Sequence, residues 1–143
     1  MMKAQVSLEL LITVGVVFAF TIPVLLLLLS VSQFGYEKST LAQADAASKT
    51  IADNINELFV QGPGSKKTIT IAFPTNMQNL SIKDKEVVIR LKTSSGVYEA
   101  ASPIFANATI INPSSLNKRA GLFSITLRTK SKPNGDVEVE VYG

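Results

Sequence analysis

Polarity changes sharply along this chain. Residues 10–36 carry no charged side chain, and the stretch Leu10–Val31, LLITVGVVFAFTIPVLLLLLSV, is apolar on every face that a helix would present. About 22 residues at about 1.5 Å each reach about 33 Å, enough to cross the roughly 30 Å hydrocarbon layer of a bilayer. A helix lying along a membrane surface needs a polar face, and this stretch has none. Gly15 and Pro23 interrupt it, as membrane helices tolerate. Pro23 removes one backbone hydrogen bond and is expected to kink the helix.

From Tyr36 to Phe59 the pattern becomes one-sided. Leu41, Ala44, Ser48, Ile51, Ile55 and Leu58 recur at steps of three and four, and Ala47, Ala52 and Phe59 widen the stripe. Charged and polar residues supply the other faces. Asp45 and Lys49 stand i,i+4 in the favourable order, while Asp53 and Glu57 form a like-charged pair at the same spacing. Small residues at Ala42, Ala44, Ala46 and Ala47 allow close approach by a sheet or a second helix. Gly62-Pro63-Gly64-Ser65 is a stop and a turn. The prediction is a long helix over about 6–60, bent at its breakers. Roughly 50 continuous residues would make it about 75 Å long.

Beyond Ser65 the period changes to two. Thr68–Phe73 alternates, with Ile69, Ile71 and Phe73 on one side, and Pro74 ends it. Glu86–Lys92 alternates with Val87, Ile89 and Leu91 inward, and Ser94-Ser95-Gly96 turns the chain into Val97–Ala100. A strand over Ala108–Ile111 stops at Asn112-Pro113. The clearest hairpin is the last, where Phe123, Ile125 and Leu127 face one way, as do Val137, Val139 and Val141, with Asn134-Gly135 in the connecting turn. On its other face Arg128 and Lys130 can meet Asp136, Glu138 and Glu140. The fold class is therefore α+β: a transmembrane or stalk helix followed by a small antiparallel sheet or β-sandwich.

Composition narrows the chemistry. The chain has no His, Cys or Trp, which excludes imidazole triads, thiol nucleophiles and disulfides. Its 14 basic and 11 acidic residues give a net charge of +3, too mild for a nucleic-acid binder. No catalytic constellation is legible, and Gly62-Pro63-Gly64-Ser65-Lys66 lacks the spacing and preceding strand of a phosphate loop. No enzyme activity, cofactor or metal is expected. The carboxylates of Asp136, Glu138 and Glu140 are held apart by strand spacing and have basic neighbours, unlike a calcium loop. Lys66-Lys67, Lys118-Arg119 and Lys130-Ser131-Lys132 read as solvated charge. Asn79-Leu80-Ser81 and Asn107-Ala108-Thr109 are N-glycosylation acceptor motifs, expected in exposed loops or at a strand edge.

The start of the chain carries a further signal. Only Lys3 is basic before the apolar run, and Glu9 stands at its mouth. A carboxylate at the edge of hydrocarbon is costly without a partner. Glu9 in the first helical turn would also be favoured by the exposed N–H groups there. A signal peptide cut after Ser32, or a plain single-pass anchor, are the simpler readings of the apolar run. The segment Lys3-Ala4-Gln5-Val6-Ser7-Leu8-Glu9-Leu10-Leu11 resembles the leader of archaeal type IV pilins, known as the class III signal peptide. A looser likeness extends through Ala52–Asn56 to Gly62-Pro63-Gly64-Ser65.

The resemblance implies that a prepilin peptidase cuts between Ala4 and Gln5, with Lys3, Ser7 and Glu9 completing the motif. Ala4 stands where many members have glycine. The implied organisation is a leader at 1–4, an apolar transmembrane and filament-core helix at 5–35, an amphipathic helix at 36–61 and a β-rich extracellular head at 62–143. The implied function is that of a pilin, a structural subunit of an extracellular type IV pilus-like filament used for surface adhesion. Its partners would be membrane lipid before assembly, the peptidase, the assembly machinery and further copies of itself. Glu9 would meet the free amine of Gln5 on a neighbouring subunit. The chain would be a single-pass membrane protein first and a cell-surface filament afterwards, with Asn79 and Asn107 as glycan acceptors. The alternative is a monomeric membrane-anchored module that binds an extracellular partner.

Overall fold

The computed structural model describes residues 2–117 and 120–143, with α1 side chains described from Val6 onward. The elements in chain order are α1 (Met2–Gln61), β1 (Lys66–Phe73), β2 (Met77–Lys83), β3 (Glu86–Thr93), β4 (Gly96–Pro103), β5 (Asn107–Ile111), α2 (Pro113–Leu116), β6 (Gly121–Ser131) and β7 (Val137–Tyr142). The fold is α+β. Helix α1 runs without a break through Gly15, Pro23 and Gly35. The chain divides into two compact units, Met1–Glu37 and Lys38–Gly143, and α1 contributes to both.

The first unit is helix alone. The second is built on the amphipathic half of α1. Ala44, Ala47, Ser48, Ile51, Ala52, Ile55 and Leu58 are buried, and Leu41 is partly buried. The stripe read from the three-and-four spacing is thus the packed face. Phe59 is the exception: it remains 37% exposed and lies outside the buried stripe. The helix ends where its carbonyls need a partner. Gly62 adopts φ +88°, and its N–H reaches the Leu58 and Phe59 carbonyls at 3.2 Å each. A left-handed residue at this position suits glycine because a Cβ would crowd the following peptide.

Among the described residues seven strands form two sheets. One has the order β1-β6-β7-β5 and the other β2-β3-β4. The inward residues of both join the helix stripe in a single core, including Ile125, Leu127, Val139 and Val141 from the first sheet and Leu80, Val87, Ile89 and Leu91 from the second. Burying each such side chain stabilises by about 1.5–3 kcal/mol. Hydrogen bonds fix the helix to one edge strand of each sheet. Lys67 on β1 donates to Glu57 at 2.6 Å, and Tyr98 on β4 donates to Asp45 at 3.1 Å. The Ser48 and Ser102 hydroxyls share a buried hydrogen bond of 2.9 Å.

The expected final hairpin forms, with Leu127 opposite Val141, Arg128 opposite Glu140 and Lys130 opposite Glu138, while Phe123 and Ile125 lie outside its paired stretch. Its turn closes through Lys132 N–H to the Asp136 carbonyl at 2.7 Å and Gly135 N–H to the Lys132 carbonyl at 2.9 Å. Asp136 itself lies in this turn, where its carboxylate accepts from Asn134. Three features depart from the sequence reading. Strand β2 was not anticipated. The pairing of β5 with β7 is parallel, so the four-stranded sheet is mixed and not purely antiparallel. The stop at Asn112-Pro113 is followed by the short α2, which buries Leu116.

Candidate functional site

The apolar half of α1 is the most unusual surface of the molecule. Every side chain from Val6 to Tyr36 is exposed. The most apolar window of the helix has a mean hydropathy of 2.7, and none of it is buried within the chain. Leu25 to Leu29 alone leave about 10 kcal/mol of transfer free energy unrealised if they face water. Such a surface requires lipid or other protein around it on all sides. By length and composition this is one helix able to cross a membrane.

Two of the polar side chains in this segment bond to the helix itself. Thr13 Oγ1 donates to the Glu9 carbonyl at 2.8 Å, and Ser30 Oγ donates to the Leu26 carbonyl at 3.0 Å. A hydroxyl satisfied by its own helix backbone enters an apolar environment at far lower cost. Among the described side chains of this segment, that leaves the Glu9 carboxylate as the one formal charge in an apolar surface.

The placement of Glu9 corrects one expectation. Helix α1 begins at Met2, and no acidic residue lies in its first turn. The macrodipole acts over about one turn, so capping does not account for the charge at position 9. Even with the helix starting at Gln5, Glu9 would stand just past that first turn. Ser7, the other leader-motif residue with a described side chain, is exposed on the same helix. Lys3, Ala4 and Gln5 belong to the helical backbone, and their side chains lie outside the described residues, as do Lys118 and Arg119 altogether.

On the β unit, both glycan acceptor motifs fall on edge strands and not in loops. Asn79 is on β2, where its Oδ1 is buried and has no hydrogen-bond partner. A register shift between Met77 and Asn79 accompanies it. Asn107 opens β5 and is exposed. The charges of the final hairpin are largely mutual. Glu138 accepts from Lys132 at 2.9 Å and from the Thr109 hydroxyl, and these hold its carboxyl below the usual range, the Thr109 bond most strongly. Burial, and then the Asp45 carboxylate, raise the Tyr98 hydroxyl above its ordinary value.

A cleft of about 370 Å³ lined by Lys66, Thr126, Arg128 and Tyr142 lies on the outer face of the four-stranded sheet. Nothing local in the sequence marks it, because its residues come together only through the pairing of β1, β6 and β7. Comparison with protein-family models, curated proteins and solved structures finds no match. Architecture and residue chemistry are therefore the basis for a functional reading: a long apolar N-terminal helix carrying a β domain, the arrangement of a pilin-like protein.

Proposed function

We propose that this chain is a pilin, the structural subunit of an extracellular type IV pilus-like filament that polymerises through its N-terminal helix and serves surface adhesion. The observation that carries the reading is the division of α1. Its residues 6–36 present apolar side chains on every face, while its continuation is locked by Ile51, Ile55 and Leu58 into a folded β unit. One helix thus has a half that needs an external partner all round and a half that holds a head domain.

Lipid covers the apolar half before assembly, and neighbouring copies of the same helix cover it afterwards. Copies related by a rotation and a rise make contacts that do not close, and such contacts propagate as filaments. A prepilin peptidase removes residues 1–4 by cutting between Ala4 and Gln5, with Lys3 and Ser7 as part of its recognition segment, and the assembly machinery then extracts the helix. Glu9 finds its partner in the new Gln5 amine of an adjacent subunit, which relieves two charges that would be expensive to bury alone. The chain acts as a structural element and not as an enzyme.

Determining the N-terminus of the mature protein from its host tests the processing step. A start at Gln5 supports the pilin reading. An intact Met1 leaves a monomeric anchored binding module, and a start at Gln33 identifies a discarded signal peptide; either contradicts the proposal.

A further inference from the structure

We propose that the cleft between Lys66, Arg128, Thr126 and Tyr142 binds an acidic saccharide, taking a ring carboxylate between the two cations and the sugar ring against Tyr142.

The cations are placed by register. Lys66 on β1 lies directly opposite Arg128 on β6, and Thr126 lies opposite Tyr142 on β7. Like charges directly across a strand pair lower stability, and the only offset in register is Glu140, opposite Arg128 on its other side. The nearest acid in register, Glu140, is already engaged. Its Oε2 accepts the Tyr142 hydroxyl at 2.5 Å, and its Oε1 lies 3.6 Å from the Lys130 ammonium. Lys67 has Glu57, Arg90 has Glu99, Lys130 has Glu140 and Lys132 has Glu138, while Lys83, Lys85 and Lys92 make no ion pair among the described residues. Among the described residues, Lys66 and Arg128 make neither an ion pair nor a side-chain hydrogen bond.

The remaining lining sets the ligand class. The Tyr142 ring is fixed by its hydroxyl bond to Glu140, which leaves a pre-oriented aromatic face. Thr126 and Thr68 hydroxyls lie 3.1 Å apart beside it, exposed and able to donate or accept. The guanidinium fork matches a carboxylate in two parallel hydrogen bonds. A volume of about 370 Å³ falls within the range of small-molecule sites. An anion attached to a ring with hydroxyls and one apolar face satisfies all of these groups together, whereas a bare anion leaves the aromatic face and the hydroxyls unused. The site lies wholly within the β unit and does not depend on filament assembly.

Isothermal titration of the full chain in uncharged detergent micelles tests this, with trigalacturonate, a neutral trisaccharide and inorganic phosphate as probes. The expected result is saturable, salt-weakened binding of trigalacturonate and none of the neutral sugar. Arg128→Gln and Lys66→Gln should each weaken it about tenfold, as loss of one charged hydrogen bond does. Tyr142→Ala should weaken it while leaving the circular dichroism spectrum unchanged, and Lys83→Gln should have no effect. Absence of saturable binding overturns the proposal. So does equal binding of the neutral sugar, phosphate binding as tight as that of trigalacturonate, or unchanged affinity in both cation variants.

Discussion

At the scale of single residues, three side chains carry consequences that can be measured. Glu9 is a charge in an apolar helix, beyond the reach of the helix N-terminus. If its role is to pair with a neighbouring amine, Glu9→Gln should leave cleavage after Ala4 intact and lower filament yield by about tenfold or more, given the cost of an unpaired buried charge. Immunoblots of cell and sheared-fibre fractions read both quantities, and unchanged fibre yield would discard the pairing. Glu138 has its carboxyl held below the usual range by Thr109 and Lys132. A depressed folded value means the stabilisation is fully present above the unfolded value of 4.5 and fades as pH falls through the folded one. Glu138→Gln should therefore lower stability near neutral pH and flatten the acid limb of a melting-temperature profile taken from pH 7 to 3. An acid limb as steep as that of the parent would refute this assignment. Ser48 and Ser102 share a buried hydrogen bond. Ser48 Oγ also donates to the Asp45 carbonyl at 3.0 Å, so removing Ser48 strands the Ser102 hydroxyl, at about 1–2 kcal/mol, whereas removing Ser102 leaves Ser48 bonded. The double change Ser48→Ala with Ser102→Ala should cost less than the sum of the two singles in denaturant melts, and strict additivity would show that the hydroxyls are not coupled.

At the scale of elements, α1 is one helix with two chemistries. Ile55→Ala should destabilise the β unit by about 2–5 kcal/mol, because it opens a cavity where helix and sheets meet. Leu27→Ala, on the exposed half, should leave the melting of that unit unchanged. Both are read by thermal unfolding of the full chain in detergent, and equal effects would deny the division of the helix. The two halves were legible in the sequence, because a change from all-round to one-sided hydrophobicity is a local signal. The hairpin of β6 and β7 was legible for the same reason: strict alternation, a Gly-containing turn and opposed charges all lie within a short stretch. Strand β2 was not legible. Its inward residues Met77, Leu80 and Ile82 break the period of two, and the register shift between Met77 and Asn79 is the cause. The parallel pairing of β5 with β7 leaves no local trace, since it joins strands separated by α2 and β6. Phe59 fits the helical stripe by spacing yet stays partly exposed near the helix end. The cleft at Lys66 and Arg128 is a product of strand register alone, and spacing along the chain could not reveal it.

At the scale of the whole molecule, a folded β unit is built on one half of a continuous helix whose other half is apolar and, among the described residues, unburied. The physical requirement is an external environment that covers that segment on every side. A bilayer meets it for a membrane-stored subunit, and a bundle of identical helices meets it for an assembled one. On the proposed reading only the second makes the Glu9 carboxylate an asset, since the Gln5 amine of a neighbouring copy would give it a cation. The most direct measurement is to shear surface fibres from the host, purify them and sequence their subunit by mass spectrometry from its N-terminus. The expected result is that this chain forms the fibres and begins at Gln5. Fibres that lack the chain, together with an intact Met1 on protein retained in the membrane, would contradict it.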